Sequence, residues 1–129
     1  MSVQEKGYTK MFVNCSNHPS EKWSDKQRAE AKKYGEIQDV AFPEVGCHLK
    51  DEEVEQLANQ TFEKIMEYQP DAVMCMGEFV VCYRIVQKLK AEGMKVLASC
   101  SERKVIEHVE PNGVVRKEAV FLFQGFREY

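Results

Sequence analysis

The chain has 129 residues, 43% hydrophobic and 30% charged, with a formal net charge of -3, which suits one compact globular domain and leaves no room for a second. Nothing in that balance supplies a basic field to hold long DNA or RNA, so a nucleic-acid ligand has to be small or met by a local cluster. No segment approaches the roughly 20 apolar residues of a membrane span, and the start MSVQEKGYTK lacks the apolar middle of a signal peptide, so a soluble, intracellular protein without membrane contact is expected.

Residues 10–15, KMFVNC, read as a first strand, and the polar stretch SNHPSEKW after it as a loop. Ser24 is placed to cap a helix, with Gln27 closing a capping box, and Gly35 stops that helix after about Tyr34. EIQDVAF, residues 36–42, alternates as a second strand ended by Pro43. From about Asp51 a long helix carries Val54, Leu57, Ala58, Phe62, Ile65 and Met66 on one stripe, with acidic residues in its first turn where the helix dipole favours them.

DAVMCMG, residues 71–77, is a nearly unbroken apolar run, the pattern of a strand covered on both faces of a parallel sheet. Glu78 opens a third helix to about Gly93, and KVLASC, residues 95–100, reads as a fourth strand. Successive strand–helix–strand units imply a mainly parallel Rossmann-like α/β sheet flanked by helices. Residues 103–109 and 114–123 then flank Glu110-Pro111-Asn112-Gly113, where Asn-Gly supplies the positive φ of a tight turn, so a C-terminal β-hairpin is expected. The ending LFQGFREY adds a last strand, with Phe126 and Tyr129 as apolar anchors and Arg127 near the ligand pocket or a partner subunit; a plain edge strand with charged ends is the alternative.

The five cysteines, Cys15, Cys47, Cys75, Cys82 and Cys100, form no CxxC pair, and their odd number leaves one over in any disulfide scheme, which points to a reducing cytoplasm. A P-loop phosphatase needs Arg six positions after its Cys, where Cys15 has Glu21 and Cys100 has Ile106. GxGxxG and GxxxxGK[ST] are both missing, which removes support for a dinucleotide cofactor and for a P-loop NTPase. No metal-ligand spacing is present, so neither a metal nor a cofactor is expected.

In an open parallel sheet, ligands bind outside the carboxyl ends of the strands. That rule selects Asn14, Ser16, Asn17 and His18 after the first strand, Gly77 and Glu78 after the third, and Ser101, Arg103 and Lys104 after the fourth. The Gly77 turn can aim free N–H groups at a phosphate, although Glu78 also suits a plain helix start. Arg103 and Lys104 suit phosphate oxygens, the alternative being a solvated turn. His18 can serve as a general acid or base, or can be an ordinary surface histidine.

Taken together, FVNCSNHPSEKW, the turn GEF at 77–79, ASCSERKV at 98–105 and the ending FQGFREY resemble the small stand-alone proteins of type III CRISPR systems that have a CRISPR-associated Rossmann fold, some of which are ring nucleases. The resemblance implies a cyclic oligoadenylate substrate, such as cyclic tetra-adenylate or hexa-adenylate, cut without a metal by attack of a ribose 2′-OH on the adjacent phosphate. It places Ser16, Asn17 and His18 on one side of the pocket, Glu78 and its turn on the floor, and Ser101, Arg103 and Lys104 opposite. His18 is then the acid or base and Arg103 or Lys104 the phosphate clamp. A symmetric ring suits a two-fold homodimer. Phe79, Val80, Val81, Cys82, Ile85, Val86 and Leu89 spread around the third helix, which is therefore either deeply buried or a subunit interface. A non-catalytic sensor of the same fold and a small interaction protein without a nucleotide site remain the alternatives.

Overall fold

The computed structural model describes residues 9–129; residues 1–8, most of the stretch in which no signal peptide is expected, lie outside them. The elements run β1 (Met11–Cys15), α1 (Asp25–Lys32), β2 (Glu36–Asp39), α2 (Asp51–Glu67), β3 (Ala72–Cys75), α3 (Phe79–Ala91), β4 (Lys95–Val109) and β5 (Val115–Glu128), with a 3₁₀ turn at Ser20–Lys22. They build one five-stranded sheet in the order β2-β1-β3-β4-β5. The first four of these pair in parallel, and β5 runs antiparallel to β4. The α/β class, the mainly parallel sheet and the C-terminal hairpin are therefore as expected from the sequence.

The apolar runs of β1 and β3 are buried because both sheet faces are covered. Val13, Cys15, Val73, Cys75 and Val96 pack with Ile65 of α2 and Val81, Ile85 and Leu89 of α3. Phe12, Ala72, Met74 and Leu97 face the other way, toward Trp23 and Ala31. Phe12 meets Trp23, Tyr34 and Phe126 at ring-centroid distances of 6.2, 5.9 and 5.3 Å. Such ring pairs contribute about 0.5–1.5 kcal/mol each beyond the area they bury, so Phe126 ties the last strand to the middle of the sheet.

Tyr129 anchors the chain beyond it. Its N–H donates to the Val96 carbonyl at 2.9 Å and its hydroxyl to the Cys75 carbonyl at 2.6 Å, while the Tyr129 carbonyl accepts from Lys90 Nζ at 2.8 Å.

Three boundaries differ from the expectation. The second strand stops at Asp39, although the N–H groups of Val40 and Phe42 still donate to the carbonyls of Asn14 and Ser16 as the chain leaves the sheet toward Pro43. The fourth strand does not end at Cys100: β4 continues unbroken to Val109, with only a bulge between Cys100 and Ser101, because β5 pairs with it along the whole way. The hairpin turn also differs from an Asn-Gly tight turn. Gly113 alone of its residues has positive φ, +85°, and its N–H donates to the Glu110 carbonyl at 2.9 Å. Pro111 and Asn112 thus occupy the centre of a type I turn followed by a left-handed glycine, the three-residue arrangement that matches strand twist.

Candidate functional site

The strand order reverses direction between β1 and β3, the point where open α/β sheets form a crevice beyond their strand ends. A groove of about 750 Å³ lies there, within the size range of small-molecule sites. Its walls come from the loop after β1 and the start of α1, the residues after β3, and the stretch around the bulge of β4 and β5.

The loop after β1 is held from below. Asn14 is buried and its amide donates to the His18 carbonyl at 2.9 Å and to Asp39 Oδ1 at 3.0 Å. Ser16 Oγ donates to Asn14 Oδ1 at 2.7 Å and accepts from the His18 N–H at 3.2 Å. Trp23 Nε1 adds a second bond to the His18 carbonyl at 3.1 Å. Arg28 Nη1 reaches the carbonyls of Ser20, Glu21 and Trp23, fastening the 3₁₀ turn to α1. The His18 N–H and the carbonyls of His18, Ser20, Glu21 and Trp23, which cannot join the sheet, thereby find side-chain partners.

Of the residues selected from sequence, Ser16, Asn17, His18, Gly77 and Ser101 line this groove together. The others do not, for separate reasons. Asn14 lies beneath the loop and spends its amide on holding it, so it supports the wall without facing a ligand. Glu78 is the N-cap of α3: its carboxylate accepts from the Val81 N–H at 2.8 Å, filling the helix N-terminus that a phosphate would otherwise use.

Arg103 and Lys104 lie within β4, paired with Phe121 and Val120, and not in a loop at a strand end. Alternation puts Arg103 on the groove side one step beyond Ser101 and Lys104 on the opposite face, and neither lines the groove. Arg127 pairs with Ala98, which shares the face of Val96 and α3, so it points away from the groove.

The cations that do line the groove are Lys22 and Lys26, both exposed and neither in an ion pair with a described residue. Sequence reasoning passed over them because it treated SEKW as mere loop; two lysines bracketing Trp23 at the start of a helix were the available signal. Apolar surface comes from Trp23, Met74, Met76, Phe121 and Phe123.

Among the described residues, several donors in the groove meet only sulfur. The Ser99 N–H and hydroxyl approach Met76 Sδ at 3.2 and 3.1 Å, and the Gln27 amide approaches Met74 Sδ at 3.8 Å. Ser99 lies past the last β3–β4 pair, Met74 with Leu97, so its N–H has no strand partner on that side. A thioether is a weak acceptor, and these donors gain from any oxygen or ring nitrogen that replaces it.

A family model described as the uncharacterized protein MJ1673 family matches residues 10–127. The chain belongs to the MJ1673 family. No curated protein matches it. The matched range runs from the start of β1 to the end of the hairpin, so every groove wall of this MJ1673-family chain falls inside it. Among the described residues no helix is long and apolar enough to cross a membrane, and no group of three or more His, Cys, Asp or Glu side chains could hold a metal ion.

Proposed function

We propose that this protein binds a cyclic oligoadenylate, of the cyclic tetra- or hexa-adenylate kind, in the groove beyond β1 and β3 and opens it as a ring nuclease. The observation that carries the reading is the pairing, in one groove, of two lysines with N–H and O–H donors, where among the described residues the lysines have no ion-pair partner and the donors meet only methionine sulfur. Lys22 and Lys26 offer positive charge to phosphates, aided by the N-terminus of α1. Exposed Phe121 offers an apolar face to a base, the buried Trp23 and Phe123 add apolar lining, and Ser99 and Gln27 offer donors to base acceptor edges.

The reaction requires no redox step. A ribose 2′-oxygen attacks the neighbouring phosphorus as its proton leaves, the bond from phosphorus to the 5′-oxygen breaks, and that oxygen takes up a proton. The products are a linear oligoadenylate with a 2′,3′-cyclic phosphate and a free 5′-hydroxyl. His18, exposed at the groove wall, is the proposed acid or base, and Lys22 and Lys26 stabilise charge on the phosphate oxygens in place of Arg103 and Lys104. A second copy of the chain would complete the site around a symmetric ring, and the exposed Phe79, Val80 and Tyr83 of α3 give such a copy an apolar surface. The proposed setting is the cytoplasm, where all five cysteines can persist as free thiols.

Incubating the pure protein with cyclic tetra- and hexa-adenylate in EDTA and resolving the mixture by chromatography tests this directly. Linear products carrying a cyclic phosphate are expected. Retention of intact ring would make the protein a sensor, and neither retention nor cleavage would end the nucleotide reading.

A further inference from the structure

On the α3 side of the sheet, across it from the groove, lie three neighbouring thiols that the proposed function does not use. Cys15 and Cys75 are register partners on β1 and β3, and Cys82 sits in the first turn of α3. Cys75 and Cys82 have their sulfurs 3.8 Å apart, and Cys82 Sγ is also 3.5 Å from the Cys75 carbonyl. The Tyr129 hydroxyl lies 3.8 Å from Cys82 Sγ. Cys15 and Cys75 are fully buried, whereas Cys82 keeps 7% of its surface exposed, so a small reagent reaches Cys82 first.

We propose that Cys75 and Cys82 are a peroxide-sensitive thiol pair that closes to a reversible disulfide across the β3–α3 turn. The step is balanced with hydrogen peroxide as oxidant. The Cys82 sulfur attacks one peroxide oxygen, the O–O bond breaks, and the departing oxygen leaves as water, giving a sulfenic acid. The Cys75 sulfur then attacks the Cys82 sulfur, the S–O bond breaks, and a second water carries away the Cys75 proton. Two thiols are oxidised and one peroxide is reduced. The segment closed by the new bond contains Met76 and Gly77, both of which line the groove.

The environment orders the two steps. Hydrogen bonding from the Cys75 thiol is the main influence that holds Cys82 down to about 7, against the opposing effect of burial. The same thiol–thiol contacts, first with Cys15 and then with Cys82, together with burial push Cys75 well up. The phenol of Tyr129 has one proton, and at 2.6 Å that proton goes to the Cys75 carbonyl, which leaves the Cys75 thiol as the donor that matters to Cys82. Facing Cys82 are Cys75 of β3, Tyr129 after β5, and Glu78 at the head of its own helix, whose charge opposes the thiolate. Oxidation therefore quickens as pH rises through about 7.

The test uses the full chain with Cys47→Ser and Cys100→Ser, which removes the two cysteines outside the core and leaves three thiols. Dilute hydrogen peroxide should remove two of the three and about 2 Da of mass, and dithiothreitol should restore both. Cleavage after Glu67, Glu78 and Glu92 separates Cys75 from Cys82, so the expected map shows those two fragments joined until reduced. Adding Cys82→Ser should abolish the loss; should that variant not fold, the fragment map of the parent still decides. Three thiols surviving peroxide on the folded protein, a Cys15–Cys75 link, or oxygen accumulating on Cys82 without a crosslink would each overturn the proposal. None of these outcomes depends on whether the groove binds a nucleotide.

Discussion

Gly77 ends the apolar run of β3 where the ring of Phe42 comes closest to the backbone. A Cβ built there lies 2.5 Å from three ring carbons. Phe42 is itself buried in the α2–α3 side of the core, so its ring has nowhere to retreat. Gly77→Ala should cost about 1–3 kcal/mol of stability, the usual range for overpacking, read from urea unfolding curves with an unchanged slope. From the sequence, Gly77 suggested a phosphate turn; its cause is the close approach of a residue 35 positions earlier, a contact invisible to local pattern.

The charge at the groove gives a second test at this scale. If the groove binds cyclic tetra-adenylate as proposed, Lys22→Ala and Lys26→Ala should each weaken that binding by up to about 1 kcal/mol, roughly fivefold in Kd, because exposed ion pairs are worth little individually. Both should also flatten the salt dependence, and Arg103→Ala should do less of either. Calorimetric titration at two salt concentrations separates the three variants. Equal effects at all three positions would return Arg103 to the site.

At the scale of elements, the parallel strands, the helices and their order were legible because unbroken apolar runs and 3.6-residue stripes survive without tertiary context. The division of β4 was not. Ser101-Glu102-Arg103-Lys104 looks like a loop because it is polar, yet a ribbon with solvent on both faces accepts polar residues as readily as apolar ones. Residues 101–109 are all exposed and, from Arg103 to Val109, pair among the described residues only with β5. Replacing residues 105–119 by Asn-Gly, between the opposed Lys104 and Val120, should therefore leave the body folded, with its stability changed by less than about 1 kcal/mol, since a lone two-stranded ribbon is marginal by itself. Thermal melts followed by circular dichroism give the comparison. A collapse of the melt would mean that the arm braces the groove.

The contact of α2 with α3 carries a pH signature. Glu55 accepts from Lys88 Nζ at 2.6 Å and from Arg84 at 3.4 Å, and the Lys88 hydrogen bond is the largest influence lowering its carboxyl below the ordinary 4.5. A depressed carboxyl contributes stability above its unfolded value and loses it as pH falls through the folded one. The wild type should therefore melt above Lys88→Ala near neutrality, with the gap closing as pH drops below about 4.5. A gap that persisted in acid would assign the lysine's effect to packing of its stem instead.

For the whole molecule, the surface of α3 separates two readings that the sequence left open. Val81, Cys82, Ile85, Val86 and Leu89 are buried against the sheet and α2, so most of the helix is explained within one chain. Phe79 and Tyr83 are not: they stand 90% and 63% exposed, four residues apart on one side, with Val80 beside them. Sequence could count these apolar residues but not sort them, because sorting needs the positions of the sheet and of α2. Exposed apolar side chains grouped in this way suit an interaction site. If it is the contact for a second copy, each Phe79 is met twice at a two-fold axis, and Phe79→Asp removes two burials worth about 1.5–3 kcal/mol apiece. Dimerisation should then weaken by roughly a hundredfold or more, and sedimentation equilibrium should show the variant as monomer at concentrations where the wild type has twice the chain mass. Because Phe79 does not line the groove, a monomeric variant also asks whether one copy suffices to hold the ring. Wild-type protein that sediments as a monomer throughout, with or without cyclic tetra-adenylate, would confine ligand binding to a single groove.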